Sequence, residues 1–255
     1  ATEGSDAFYK GSLAEDIVAQ VRDTTRNPAD LTLADMAAYR AKERTPLCAP
    51  YRRFTVCGMP APTSGGIGVI QTLGLLEKFD LPNMAPWSTD AAHLFVEASR
   101  LVYADRAVYI ADPDFSPVPE QGLIDRGYLA DRAALIDPAG RMAKAEAGKP
   151  PQKGNYNYGP GRDFERPSTT HISVIDDQGN AVSMTSSIEG AFGSHLMVGG
   201  FLLNNQLTDF SYDAVAEGRT VANRVEGGKR PRSSMAPIIV FDENDQIVAV
   251  SGSPG

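Results

Sequence analysis

The sequence predicts an α+β protein. Its first half carries helical periodicity and its last third alternates as β-strands do. A stretch rich in Gly, Pro, Lys and Asn lies between them. Three segments are therefore expected: a mostly helical 1–136, a flexible tail over 137–168, and a mostly β region over 169–255. The chain has 255 residues, 42% of them hydrophobic, enough to bury a core as one large domain or two modest ones.

The helices come first. Leu13, Ile17 and Val21 recur on one face, so a helix is predicted over 12–21 with Ser12 as its cap. Thr32 followed by Asp35 resembles a capping box with aspartate in the glutamate position, opening a short helix to Arg40. Residues 53–57 read as a short strand. Pro60-Ala61-Pro62-Thr63-Ser64-Gly65-Gly66 must form a turn or loop, and a helix follows to about Phe79. Ser88 or Thr89 caps a long helix to about Ala111, with Leu94, Ala98, Leu101 and Val108 as its apolar stripe. Asp112-Pro113 stops it. A further helix is expected over 126–135. After residue 168, 171–175 and 181–188 form one hairpin, turning at Asp177-Gln178-Gly179-Asn180. Residues 237–241 and 246–250 form a second.

Several function classes are disfavoured. A net charge of -8 opposes nucleic-acid binding, which needs a basic footprint, and the one basic cluster, Lys229-Arg230-Pro231-Arg232, is short. No apolar run approaches the roughly 20 residues that span a bilayer. Cys48 and Cys57 are too few for a disulfide framework and read as ordinary small apolar residues. They share no metal-like spacing with His93, His171 and His195, so no metal is expected. No motif calls for a cofactor: there is no P-loop, and Gly66-Ile67-Gly68 lacks the third glycine of a dinucleotide fingerprint. G-x-S-x-G and H-E-x-x-H are absent too. The chain opens on Ala1-Thr2-Glu3-Gly4 and ends directly after a strand-like run, so it reads as an internal piece of a longer protein, and this segment carries no targeting signal from which to read a location.

One residue then stands out. Thr169 lies where the loose segment meets the first strand. A hydroxyl is a weak nucleophile and needs a base. An N-terminal threonine carries its own, because a free α-amine has a pKa of about 7.7–8.0 and is partly neutral near pH 7. Within an intact chain that nitrogen is an amide and accepts no proton. A cut between Ser168 and Thr169 would create the catalyst. The bland alternative is a threonine that merely opens a strand.

The surrounding motifs weigh against that alternative. Ser168-Thr169-Thr170-His171-Ile172-Ser173-Val174, with Gly179-Asn180-Ala181-Val182-Ser183, resembles the start of the small subunit of gamma-glutamyltranspeptidases. Phe192-Gly193-Ser194, Leu202-Leu203-Asn204-Asn205-Gln206, Asp209-Phe210-Ser211, Lys229-Arg230-Pro231, Ser233-Ser234-Met235 and Gly252-Ser253-Pro254-Gly255 follow in order. Upstream, Phe8-Tyr9-Lys10-Gly11, Thr63-Ser64-Gly65-Gly66, Ala104-Asp105-Arg106 and Asp112-Pro113-Asp114-Phe115 resemble the large subunit.

The resemblance implies the four-layer αββα sandwich of N-terminal-nucleophile hydrolases, here incomplete. It implies a precursor that cuts itself into large and small subunits, then passes a gamma-glutamyl group from glutathione or a related amide to water, an amino acid or a peptide. By position Thr169 is the nucleophile, and Ser187 matches a hydroxyl residue that hydrogen-bonds it. Gln206 and Asp209 match residues that hold the donor's α-amino group, a task that suits a carboxylate. Ser233 and Ser234 match residues that hydrogen-bond the donor carboxylate; their alternative is a polar turn. Gly255 matches the first of two oxyanion-hole glycines, where one lost donor typically lowers the rate about 10²–10³-fold. The second lies beyond the chain, so the isolated segment is expected to turn over little. Bacterial members are usually periplasmic or secreted.

Two departures bear on the substrate. Glu189 stands where many members have asparagine near the donor's α-amino end; it reads either as a partner for that ammonium or as an exposed charge at a strand end. The lid region, 211–228, is short, with Tyr212 its single aromatic. A short lid admits bulkier donors, so an acylase for glutaryl-type amides is the sibling reading. A non-catalytic fragment or degenerate paralogue is the reading from another class.

Overall fold

A computed structural model describes residues 4–162 and 169–253. Among them the helices are α1 (Asp6–Tyr9), α2 (Ser12–Asp23), α3 (Leu33–Ala38), α4 (Gly65–Leu76), α5 (Thr89–Tyr109), α6 (Glu120–Leu123) and α7 (Arg126–Ala133). The strands are β1 (Leu47–Tyr51), β2 (Phe54–Gly58), β3 (Thr169–Ile175), β4 (Ala181–Ser187), β5 (Met197–Val198), β6 (Phe201–Leu202), β7 (Val215–Ala216), β8 (Arg219–Thr220), β9 (Ala236–Phe241) and β10 (Ile247–Ser253). The chain divides into two compact units.

The smaller unit holds residues 4–44 and 187–206. Gly11 precedes α2 and Ser12 is its first residue, one place from the predicted cap. The capping box that opens α3 is present: the Thr32 amide donates to Asp35 Oδ2 at 2.9 Å and the Asp35 amide to Thr32 Oγ1 at 3.1 Å. Ala14 and Ile17 are the buried positions of α2. β5 and β6 form a tight hairpin through Gly199 and Gly200, whose φ values of +58° and +87° suit a two-residue turn that side chains oppose.

The larger unit holds residues 45–162, 169–186 and 207–253. Its centre is an antiparallel sheet in the order β1-β2-β9-β10. β1 escaped prediction because Pro50 interrupts the pattern, and proline is tolerated there because β1 is an edge. Ile67, Ile70 and Leu75 of α4, Leu94 and Leu101 of α5, and Leu129 of α7 join one core with Val56 and Ile238. A Cβ at Gly65 would collide with the Met235 carbonyl, and one at Gly66 with that of Met59, so the glycine pair lets α4 start directly on the sheet. The predicted loop therefore ends at Ser64, two residues earlier than expected. Ser88 caps α5, its Oγ accepting from the Ala91 amide.

Cys48 and Cys57 are not ordinary apolar residues, and that expectation is corrected. They oppose each other across β1 and β2 and form a disulfide, with a Cα–Cα distance of 4.1 Å. Spacing alone does not reveal which residues a hairpin register opposes.

Residues 137–162 carry no helix or strand, yet their backbone is tied down repeatedly. The Met142 amide donates to Glu97 Oε2 at 2.8 Å and the Gly148 amide to Asp105 Oδ1 at 2.8 Å. Gly159 N–H meets Thr220 O at 2.9 Å, and Gly161 N–H meets Ala107 O at 2.8 Å.

Candidate active site

Thr169, half-buried, is the first residue of β3. Ser168 and Gly255 lie outside the described residues. The β3–β4 hairpin meets β9 and β10 through polar side chains. Ser183 Oγ donates to Ser251 O at 2.9 Å and accepts from the Ile238 amide at 3.1 Å. His171 lies against Gly252, where a Cβ would clash with its ring. One ring nitrogen meets Thr185 Oγ1 at 2.8 Å and the other Ser173 Oγ at 3.0 Å. The face that carries Ile172, Val174, Val182 and Met184 is exposed.

Ser233 and Ser234 sit in a dense polar cluster. Ser64 Oγ donates to Ser233 O at 2.9 Å and the Ser64 amide to the same oxygen at 2.8 Å. The Ser233 amide returns a bond to Pro62 O at 3.3 Å. Thr63 Oγ1 donates to Met235 O at 2.7 Å. Arg106, in the last turn of α5 and 7% exposed, donates from Nε to Ser64 Oγ at 2.8 Å and from Nη2 to Ser234 Oγ at 2.9 Å. Beside it opens a mostly apolar cavity of about 350 Å³, with Val102, Tyr103, Arg106, Ser234 and Ser253 in its wall. Two motifs some 170 residues apart thus form one surface.

Asp209 closes a 3₁₀ turn, Gln206–Asp209. Its carbonyl accepts from Asn223 Nδ2 at 2.8 Å, and Asn223 Oδ1 accepts from the Arg232 amide at 3.0 Å. Asn223, 1% exposed, therefore links the backbone at Asp209 to the residue just before Ser233. Arg232, equally buried, donates to the carbonyls of Arg106 and Ile110 at 2.6 and 3.4 Å. Sequence reasoning assigned no role to Arg106, Ser64 or Asn223. Arg106 and Ser64 stood within quoted motifs, but only the fold reveals what they touch. Asn223 carried no local signal.

Ser187, Glu189 and Gln206 belong to the smaller unit. The Glu189 amide donates to Ser187 Oγ at 2.9 Å. Glu189 is 4% exposed, which removes the reading of a solvated charge at a strand end. Its carboxylate accepts from the Asn205 side chain, and Asn205 Oδ1 accepts from the Gly190 amide at 2.8 Å. A φ of +69° puts Glu189 in the left-handed region, which non-glycine residues adopt rarely and chiefly where neighbours enforce it. The Gln206 amide donates to Asn204 Oδ1 at 3.0 Å.

The region 211–228 folds back as the short hairpin β7–β8, with Val215 opposite Thr220. Tyr212 is 68% exposed, its hydroxyl donating to Leu207 O at 3.4 Å.

The chain is 40% identical over 267 residues to a glutathione hydrolase proenzyme of Escherichia coli K12, covering all of this chain and 43% of that protein. It is 35% identical over 257 residues to the acylase ACY 1 proenzyme of a Pseudomonas strain, covering all of this chain and 42% of that protein. The chain thus spans less than half the length of the curated relatives it matches. Its structure superposes on a cephalosporin acylase from Bacillus halodurans with a TM-score of 0.78 at 25% identity, over 98% of this chain and 41% of that one. The fold is accordingly the α+β, αββα-type fold of N-terminal-nucleophile hydrolases. The sequence model of gamma-glutamyltranspeptidase matches residues 1–255, from end to end, and the chain belongs to the gamma-glutamyltranspeptidase family.

Proposed function

We propose that the complete protein is a self-processing threonine amidase and acyltransferase acting on gamma-glutamyl amides. The observation that carries this reading is the family match running unbroken through Thr169 and the Ser233-Ser234 turn. Maturation begins when Thr169 Oγ1 attacks the Ser168 carbonyl carbon and the Ser168–Thr169 C–N bond breaks, the hydroxyl proton passing to the freed nitrogen; water then hydrolyses the resulting ester, releasing the Ser168 carboxylate and leaving Thr169 with a free hydroxyl and α-amine. That amine takes the hydroxyl proton as Oγ1 attacks the donor's amide carbon, and returns it to the departing amine. The acyl-threonine ester is resolved by water or by an amino acid or peptide acceptor.

Ser187 orients the nucleophile in this reading. Gln206 and Asp209 hold the donor ammonium, Ser233 and Ser234 its carboxylate, and Gly255 contributes an oxyanion donor. Residues 1–168 and 169–255 then belong to the large and small subunits. The Cys48–Cys57 disulfide supports a periplasmic or secreted location, since such bonds persist in oxidising compartments. Among the described residues no helix is long and apolar enough to cross a membrane.

A second reading, an acylase for glutaryl-type or other bulky amides, is supported by the short β7–β8 hairpin and by the acylases among the relatives.

The test is maturation of the complete protein followed by intact mass. Thr169→Ala is expected to remain one uncut chain without amidase activity, and Thr169→Ser to process slowly. Two pieces from the alanine variant, divided between residues 168 and 169, would refute self-cleavage by this hydroxyl.

A further inference from the structure

We propose that Arg106 is a positioning residue for the donor-carboxylate pocket, acting through Ser64 and Ser234. This rests on the reading that Ser233 and Ser234 hold that carboxylate. The guanidinium sits behind the turn, and its planar fork sends one bond to each serine hydroxyl, 2.8 and 2.9 Å away. Such a fork holds two acceptors in a fixed relation, which the single flexible ammonium of a lysine does not.

The two serines use their bonds differently. Ser64 Oγ accepts from Arg106 and passes its own hydrogen to the Ser233 carbonyl, so the cation reaches the peptide between Ser233 and Ser234 by relay. Ser234 Oγ accepts from Arg106 directly. A hydroxyl that accepts from a guanidinium has its own hydrogen turned away from the cation and polarised by it, which makes it a stronger donor to an anion.

Arg106 is itself held from several sides. Its carbonyl accepts from Arg232, and its guanidinium lies 5.5 Å from the Tyr103 ring centroid. It does not depend on substrate for its place. Burial of the cation in a wall that flanks a cavity gives it long electrostatic reach, because low-dielectric surroundings screen it little. Arg106 therefore has two effects on a bound carboxylate: it fixes the direction of the Ser234 hydroxyl and adds positive potential behind it.

The experiment uses the complete, processed protein and two donors. One is a gamma-glutamyl anilide; the other, a 4-aminobutyryl anilide, lacks only the α-carboxylate. Arg106→Met is expected to raise KM for the first donor about tenfold or more with kcat changed less than about threefold. On the second donor it should change kcat/KM less than about twofold. Arg106→Lys should recover part of the loss. In a Ser234→Ala background, Arg106→Met should cost less than it does alone, because the part of its effect that runs through the Ser234 hydroxyl is already lost.

An equal loss on both donors, or no loss on either, overturns the proposal. Ser234→Ala alone tests the underlying reading: if it affects both donors alike or neither, the carboxylate assignment fails whatever Arg106 does. If Ser234→Ala is selective and Arg106→Met is not, the assignment stands and the positioning role falls. Should Arg106→Met fail to fold, Ser64→Ala removes one anchor of the guanidinium and is expected to show the same donor selectivity in weaker form; its absence there would be equally decisive.

Discussion

At the scale of single residues, burial rewrites what side-chain chemistry alone would predict. Lys229 is 7% exposed and donates to the Ala222 carbonyl at 2.5 Å. Burial pushes its ammonium down from 10.5 to about 8. Below about pH 8 the folded protein buries a charge that the unfolded chain solvates. Between there and the ordinary lysine value the unfolded state binds more protons, so stability rises with pH. The buried phenols of Tyr109, Tyr128 and Tyr158 are pushed upward, an effect of opposite sign that sets in as pH nears the usual tyrosine value. The urea midpoint should therefore climb between about pH 7.5 and 9.5. In Lys229→Met that climb should vanish; an equal climb in the variant would show that another group causes it.

At the scale of elements, polar contacts join what apolar periodicity only prepared. Asp105, 2% exposed, draws α4, α5, α7 and the 137–162 stretch onto one carboxylate. Gln71 Nε2 donates at 3.1 Å, Tyr128 at 2.7 Å, Arg132 Nη2 at 3.2 Å and the Gly148 amide at 2.8 Å. Burial pushes the Asp105 carboxyl up, against the pull of Arg132 and these donors. Asp105→Asn keeps the shape but leaves Arg132 buried without its counter-charge. It should destabilise the protein by about 3–5 kcal/mol, read from urea denaturation. A loss below about 1 kcal/mol would mean that Arg132 finds solvent instead.

At the scale of the whole molecule, the proposed function leaves two donors to be told apart. A buried carboxylate is stabilised by a cation brought to it, and the gamma-glutamyl ammonium is such a cation while a glutaryl group has none. Glu189→Gln should lower kcat/KM for a gamma-glutamyl anilide about tenfold and leave a glutaryl anilide unchanged or improved. A gain on both donors, each of which carries a carboxylate, would instead place Glu189 beside that group. Absence of gamma-glutamyl turnover by the complete wild-type protein would remove the leading reading altogether.

Much of the fold was legible in the chain, for identifiable reasons. The Thr32–Asp35 box, the Ser88 cap and the alternation in β3, β4, β9 and β10 are local, so a few consecutive residues carry them. The pairing of β2 with β9, the Cys48–Cys57 bond and the Asn223 link are not, because they join residues that only register and topology bring together. By itself the sequence determined the α+β class, the family and the identity of the candidate nucleophile, since ordered motifs survive in one dimension. Only the tertiary structure decided that Glu189 is buried and that Arg106 stands behind Ser234. Burial and hydrogen-bond partners are properties of the packed chain, created when segments distant in sequence exclude water from one another.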